Sequence, residues 1–198
     1  MKHIDGETLS RIISEAKIVF ETKVEHINSL NVFPVPDGDT GTNMFLTLKS
    51  IEEELESITD SSVRTVSAAI SKGALMGARG NSGVILAQFF QGIAHILDNK
   101  LVITAKDLAE SLNEASISAY KSVGNPTEGT MLTVIRDIAS TANNSHENTP
   151  DILAFWQLLC QAANKSVIDT PSLLPVLREA GVVDAGGFGL AVLFEGGL

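Results

Sequence analysis

Apolar residues recur at helical spacing along almost the whole chain, and two-residue alternation is not sustained anywhere. Leu9, Ile12, Ile13, Ala16, Val19 and Phe20 form one stripe; Met44, Phe45, Leu48, Ile51 and Leu55 form a second; Ile85, Leu86, Phe89, Phe90, Ile93, Ile96 and Leu97 form a third. A strand requires a period of two, so the pattern predicts an all-α fold with no sheet. Stripes and punctuation together predict helices over about 5–28, 42–58, 62–76, 82–98, 104–122, 130–143, 150–168, 171–180 and 187–196. Thr104 with Asp107 three residues on has the form of a capping box, and Gly181 after Arg178 and Glu179 reads as a helix stop. Thr149-Pro150 and Thr170-Pro171 each place a capping hydroxyl before a proline suited to the first helical position. Short connections between such helices imply antiparallel neighbours, in a bundle or a closed helical barrel.

The 198 residues fit one domain, which at this size buries roughly 70% of the surface its unfolded chain exposes. Cys160 is the single cysteine, so no internal disulfide is possible, and no apolar run approaches the ~20 residues of a membrane span. The polar start Met1-Lys2-His3 is unlike a secretory leader, and a cytoplasmic location is expected. A net charge of −10 and 5% aromatic residues argue against nucleic-acid or anionic-membrane surfaces. An acidic chain still binds an anion when metal ions and backbone N–H groups supply the positive charge. The final Phe194-Glu195-Gly196-Gly197-Leu198 breaks off inside or just after a helix, so residues 1–198 are expected to be one N-terminal domain of a longer protein.

The most unusual stretch runs from Asn31 to Met44, N-V-F-P-V-P-D-G-D-T-G-T-N-M. Pro34 and Pro36 stiffen the approach, Gly38 and Gly41 permit tight backbone geometry, and Asp37 and Asp39 place two carboxylates in one short loop. Two hard oxygen ligands this close suit Mg²⁺ or Ca²⁺, and the helix that follows offers N–H groups to phosphate. A surface turn with an N-cap accounts for the same five residues D-G-D-T-G equally well. An EF-hand starting at Asp37 fails, because Thr42 stands where glycine is needed and Leu48 where glutamate is needed.

Gly73 to Gly83, G-A-L-M-G-A-R-G-N-S-G, is a second signal between two apolar helices. Its glycines admit an anion or, alternatively, close helix packing; the Walker spacing and a preceding strand are both absent. Thr127-Glu128-Gly129-Thr130-Met131 and Val183-Asp184-Ala185-Gly186-Gly187 each open a further helix. An up-and-down bundle that gathers alternate loops at one end would bring all four together, and a nucleotide site would then be the simpler account. No nucleophile is evident. Cys160 lies in an apolar run and reads as core, while His3, His26, His95 and His146 show no metal-ligand spacing. Phosphoryl transfer needs no histidine base, since positioning and charge neutralisation carry it.

The four segments, Ser29 to Met44, Gly73 to Leu86, Glu128 to Val134 and Gly181 to Gly187, resemble in order the ATP-binding DhaL-type domain of the dihydroxyacetone kinase family, and within it most the N-terminal domain of the bacterial fatty acid kinases. The resemblance implies an eight-helix antiparallel barrel with ATP or ADP at one end and two Mg²⁺ ions. It assigns Asp37 and Asp39 as metal ligands essential to catalysis. Thr40, Gly41, Thr42 and Asn43 match the phosphate-contacting helix start, Gly80, Asn81 and Ser82 the glycine-rich loop, Gly129, Thr130 and Met131 a further nucleotide-binding loop with Met131 on the adenine side, and Asp184 to Gly186 a lid. The dihydroxyacetone branch carries a third aspartate upstream of the pair; here Asn31 stands nearest, a weaker metal ligand. The activity implied is transfer of the ATP γ-phosphate to a fatty acid carboxylate presented by a fatty-acid-binding partner, giving acyl phosphate for phospholipid synthesis. A dihydroxyacetone kinase subunit and a non-catalytic ADP-binding regulatory subunit are the alternatives. Further domains of the same chain are expected as partners, and self-association as a homodimer is left open.

Overall fold

The computed structural model describes residues 2–149 and 151–198. Among these the regular elements are ten helices: α1 Gly6–Glu21, α2 Val24–Ser29, α3 Thr40–Ser57, α4 Val63–Gly77, α5 Gly80–Leu97, α6 Ala105–Lys121, α7 Met131–Ser145, α8 Ile152–Leu173, α9 Pro175–Ala180 and α10 Ala185–Gly196. Eight are long; α2 and α9 have six residues each. The one strand-like feature is an isolated antiparallel bridge between Ile4 and Ile103.

Local chemistry sets the boundaries. The capping box at Thr104 is present, with the Asp107 carboxylate accepting from the Thr104 N–H at 3.0 Å and the Thr104 hydroxyl accepting from the Asp107 N–H at 3.2 Å. Gly181 ends α9 in the left-handed conformation, φ 68°. The single helix expected over 5–28 is two helices. At Thr22 the hydroxyl donates back to the Val19 carbonyl at 2.7 Å, and the chain turns before α2.

Thr170-Pro171 is a correction of another kind, because Pro171 lies in the last turn of α8 and starts no helix. Proline cannot donate to the carbonyl four residues back, which is Val167; the Thr170 hydroxyl donates there instead, at 2.7 Å. The proline at a first helical position is Pro175, which opens α9. Of the start expected at Thr149-Pro150, Pro150 lies outside the described residues. The cap of α8 is Asp151, whose carboxylate accepts from Leu153 and Ala154 N–H at 3.1 and 3.0 Å.

The helices pack in chain order, α3 on α4, α4 on α5, and so on to α8. Then α10 joins α8 to α1, and α1 returns to α3 and α4, which closes the ring. Phe20, Leu48, Ile135 and Phe155 are fully buried inside it. Each such side chain contributes about 1.5–3 kcal/mol, against about 0–1 kcal/mol for an exposed ion pair such as Lys72–Glu54, so packing decides the fold. Gly73 and Gly92 let helices approach backbone to backbone: a Cβ at Gly73 would stand 2.6 Å from Ile51 Cα, and one at Gly92 2.5 Å from Ala115 Cα. Among the described residues no helix is long and apolar enough to cross a membrane.

Candidate functional site

Alternate connections of the ring meet at one end, around a cleft of about 640 Å³, a volume typical of small-molecule sites. The α2–α3 loop contributes Asn31, Asp37 and Asp39, and the first turn of α3 contributes Thr40 and Asn43. Gly80, Asn81 and Ser82 of α5 adjoin them, and Thr130 and Met131 at the start of α7 and Asp184 and Gly186 at the start of α10 complete the lining.

Neither the Asp37 nor the Asp39 carboxylate has a hydrogen-bond or ion-pair partner among the described residues, and the Asp39 side chain does not cap α3. Gly38 lies between them at φ 68°, a conformation that a side chain would strain. Two unpartnered carboxylates on one cleft are a fitting seat for a hard divalent cation. No group of three or more His, Cys, Asp or Glu that could hold a metal occurs among the described residues, so an ion here would complete its shell with water and ligand oxygens, as Mg²⁺ does.

The helix starts around the cleft differ. Asn31 Oδ1 accepts from the Asp39 and Thr40 N–H groups at 3.2 and 3.3 Å, while Asn28 Oδ1 accepts from Thr42 N–H at 3.1 Å and its Nδ2 donates to the Thr42 hydroxyl at 3.0 Å. The start of α3 is therefore largely satisfied by side chains. Gly41 and Thr42 do not line the cleft; Gly41 instead packs against α2, where a Cβ would collide with the Val24 carbonyl. By contrast, Arg79 precedes the 18-residue α5 with no side-chain cap, and Gly80, Asn81 and Ser82 of its first turn line the cleft. Gly80, at φ 59°, sits against Asn43, whose amide a Cβ would strike. The Gly73–Gly83 segment thus divides: its first half packs helices, and Gly80 to Ser82 face the cleft.

Gly129 also lies off the cleft. Its N–H donates to the Thr133 hydroxyl at 2.8 Å, within a network that fixes the α6–α7 loop. There Glu128 accepts from Tyr120 Oη at 3.0 Å and from Thr133 Oγ1 and Arg136 Nη1 at 2.6 Å each. Burial alone would raise the Glu128 pKa, but the hydrogen bonds from Thr133 and Tyr120 and the Arg136 charge bring it below its usual range. At the α10 start, Asp184 accepts from Gly187 N–H at 2.7 Å and is pushed up to about 6 by burial, with the Gly187 and Met131 N–H groups opposing. Cys160 is buried, its thiol pushed up to about 12 by burial and then by the Glu195 charge, in keeping with a packing role.

One wall carries no polar signature. Ile85, Val123, Met131 and Leu132 form an apolar side suited to a planar base, and the Ser122 to Asn125 turn frames it. The sequence marks that segment only as a turn, through Gly124-Asn125-Pro126.

Comparison with known proteins agrees with the all-helical fold. The chain is 45% identical over 193 residues to an uncharacterised protein of Staphylococcus saprophyticus and 44% identical to one of Staphylococcus aureus, covering 98% of this chain and 35% of each relative. It therefore spans about a third of the length of these curated relatives. The fold matches the dihydroxyacetone kinase of C. freundii in its native form with a TM-score of 0.72 and 20% identity, over 94% of this chain and 33% of that one. The complex of that kinase with AMP-PNP and Mg²⁺ matches with a TM-score of 0.70 and 19% identity, over 94% and 32%. The DAK2 domain matches residues 34–198, and the chain belongs to that family.

Proposed function

We propose that this chain is the nucleotide-holding domain of an ATP-dependent phosphotransferase, with Mg·ATP in the cleft. The observation that supports this most is the meeting of two unpartnered carboxylates, those of Asp37 and Asp39, with the uncapped start of α5 on a single cleft. Asp37 and Asp39 would hold the Mg²⁺, two ions by the family resemblance, and the metal would supply neutralisation of phosphate charge. Gly80 to Ser82 receive phosphate oxygens on backbone N–H groups and the Ser82 hydroxyl. The apolar wall takes the base and the Glu128 network fixes the loop beside it. Likeness to a kinase whose structure was solved with AMP-PNP and Mg²⁺ supports the same ligand here.

For the acceptor, the reading we favour is a fatty acid carboxylate delivered by a fatty-acid-binding partner, supported by the resemblance of the loop motifs to fatty acid kinases. An ionised carboxylate attacks without a general base, and among the described residues no histidine lines the cleft. The structural likeness to a dihydroxyacetone kinase favours the second reading, a ketose acceptor. Phosphate transfer from ATP by the full-length protein, with a lipid-loaded carrier in one arm and dihydroxyacetone in the other, tests both. Transfer to lipid alone is expected. Transfer to the ketose alone would establish the second reading, and binding of ADP without transfer in either arm would leave a regulatory subunit.

A further inference from the structure

We infer that Asn31 is a positioning residue, whose carboxamide holds the Asp37–Asp39 turn in its metal-receiving form before any ion arrives, and that it is not itself a metal ligand. The inference deepens the Mg²⁺-nucleotide reading of this cleft and rests on it. Asn31 is buried, 7% exposed, and every strong bond its side chain makes goes to the backbone of the turn. Nδ2 donates to the Val35 carbonyl at 3.0 Å, ahead of the aspartates, and Oδ1 accepts from the Asp39 and Thr40 N–H groups behind them. One side chain thereby lashes both ends of the segment while Gly38 turns its middle.

An amide oxygen has two lone pairs, and both are engaged here. Ligating an ion through Oδ1 would return at least one N–H to a buried site without a partner. The neutral amide combines an acceptor for Asp39 and Thr40 with a donor for Val35, which an ionised carboxylate cannot do. Asn28 does the same one turn further on, donating and accepting at Thr42, so the turn and the helix it enters are both held from α2 and its C-terminal extension. A loop ordered in advance spares the ion that ordering cost.

The test is amide hydrogen exchange at Asp39 and Thr40 by NMR, in EDTA and without nucleotide, followed by Mg²⁺ titration at fixed ADP. In the wild type both amides are expected to be protected without metal. Asn31→Ala should speed their exchange by about tenfold or more while leaving the α6 and α8 amides unchanged. It should also raise the Mg²⁺ midpoint, yet reach wild-type ADP affinity at saturating Mg²⁺. Asn31→Asp, which keeps the acceptor and loses the donor, should restore part of the protection. Should Asn31→Ala fail to fold, the wild type and Asn31→Asp still decide. Wild-type amides that exchange freely in EDTA and slow only on adding Mg²⁺ would overturn the inference in favour of a ligand. Protection in EDTA with no Mg·ADP binding would uphold the positioning role and overturn the nucleotide reading.

Discussion

Two helix starts adjoin each other on the cleft, and the chain treats them in opposite ways. At α3 the side chains of Asn28 and Asn31 accept from Thr42, Asp39 and Thr40, so three of the four N–H groups from Asp39 to Thr42 are taken. At α5 no side chain caps the first turn. Both helices have 18 residues and comparable dipoles. Helix direction alone therefore does not choose a phosphate site; the occupancy of the N–H groups does. In this reading α3 carries the metal turn and α5 receives the phosphate.

The comparison breaks most severely at the carboxylates. Asp37→Ala or Asp39→Ala should lower phosphoryl transfer by about a hundredfold or more in the full-length protein, with the helical circular dichroism unchanged, because an unpartnered loop carboxylate contributes little to the core. Full turnover by either variant would remove the metal role.

A third helix start, that of α10, is capped by an ionisable group. Asp184 has its pKa raised to about 6, so between pH 4 and 6 the native state keeps a proton that the unfolded chain has released. Its contribution is fully present below about pH 4 and is lost as pH rises through about 6, a change of at most about 3 kcal/mol. Asp184→Asn keeps an acceptor for the Gly187 N–H without ionising. Urea unfolding in EDTA should show the wild type losing stability relative to this variant across that window, and parallel profiles would contradict the buried-carboxyl account.

Gly80→Ala and Thr42→Val set the two starts side by side. A side chain at φ 59° against Asn43 should strain the α5 start by about 1–2 kcal/mol and weaken Mg·ADP binding by about tenfold. Thr42→Val removes a hydroxyl that serves Asn28 and should leave that affinity within about twofold. Equal losses by calorimetry would erase the distinction. The smallest effect is expected at Cys160→Ala: unchanged transfer, with about 1 kcal/mol of stability lost to packing, measured by thermal melting.

What the sequence made legible follows from the range of each interaction. Stripes such as Ile85 to Leu97 and the Thr104–Asp107 box act within a few residues, and the corresponding helices were plain. The break at Thr22 was not, because Phe20, Val24 and Ile27 continue the apolar spacing through it. Thr170-Pro171 carries the composition of a start, yet the same hydroxyl replaces the bond that proline removes at an end. Gly41 and Thr42 read as phosphate contacts, and the residue that occupies Thr42, Asn28, lies fourteen positions earlier. The Ser122–Asn125 turn carries no functional signal in the sequence, because it offers backbone and an apolar wall, neither of which has a residue signature.

The central claim, that phosphate is held at the start of α5 through metal on the Asp37–Asp39 turn, is tested most directly by titrating the ¹⁵N-labelled chain with Mg·ADP and following individual amides. The account predicts large shifts at Gly80, Asn81 and Ser82, small ones at Gly41 and Thr42, and loss of all of them in EDTA. Shifts centred on Gly41 and Thr42, or shifts at Gly80 to Ser82 that persist without Mg²⁺, would contradict it.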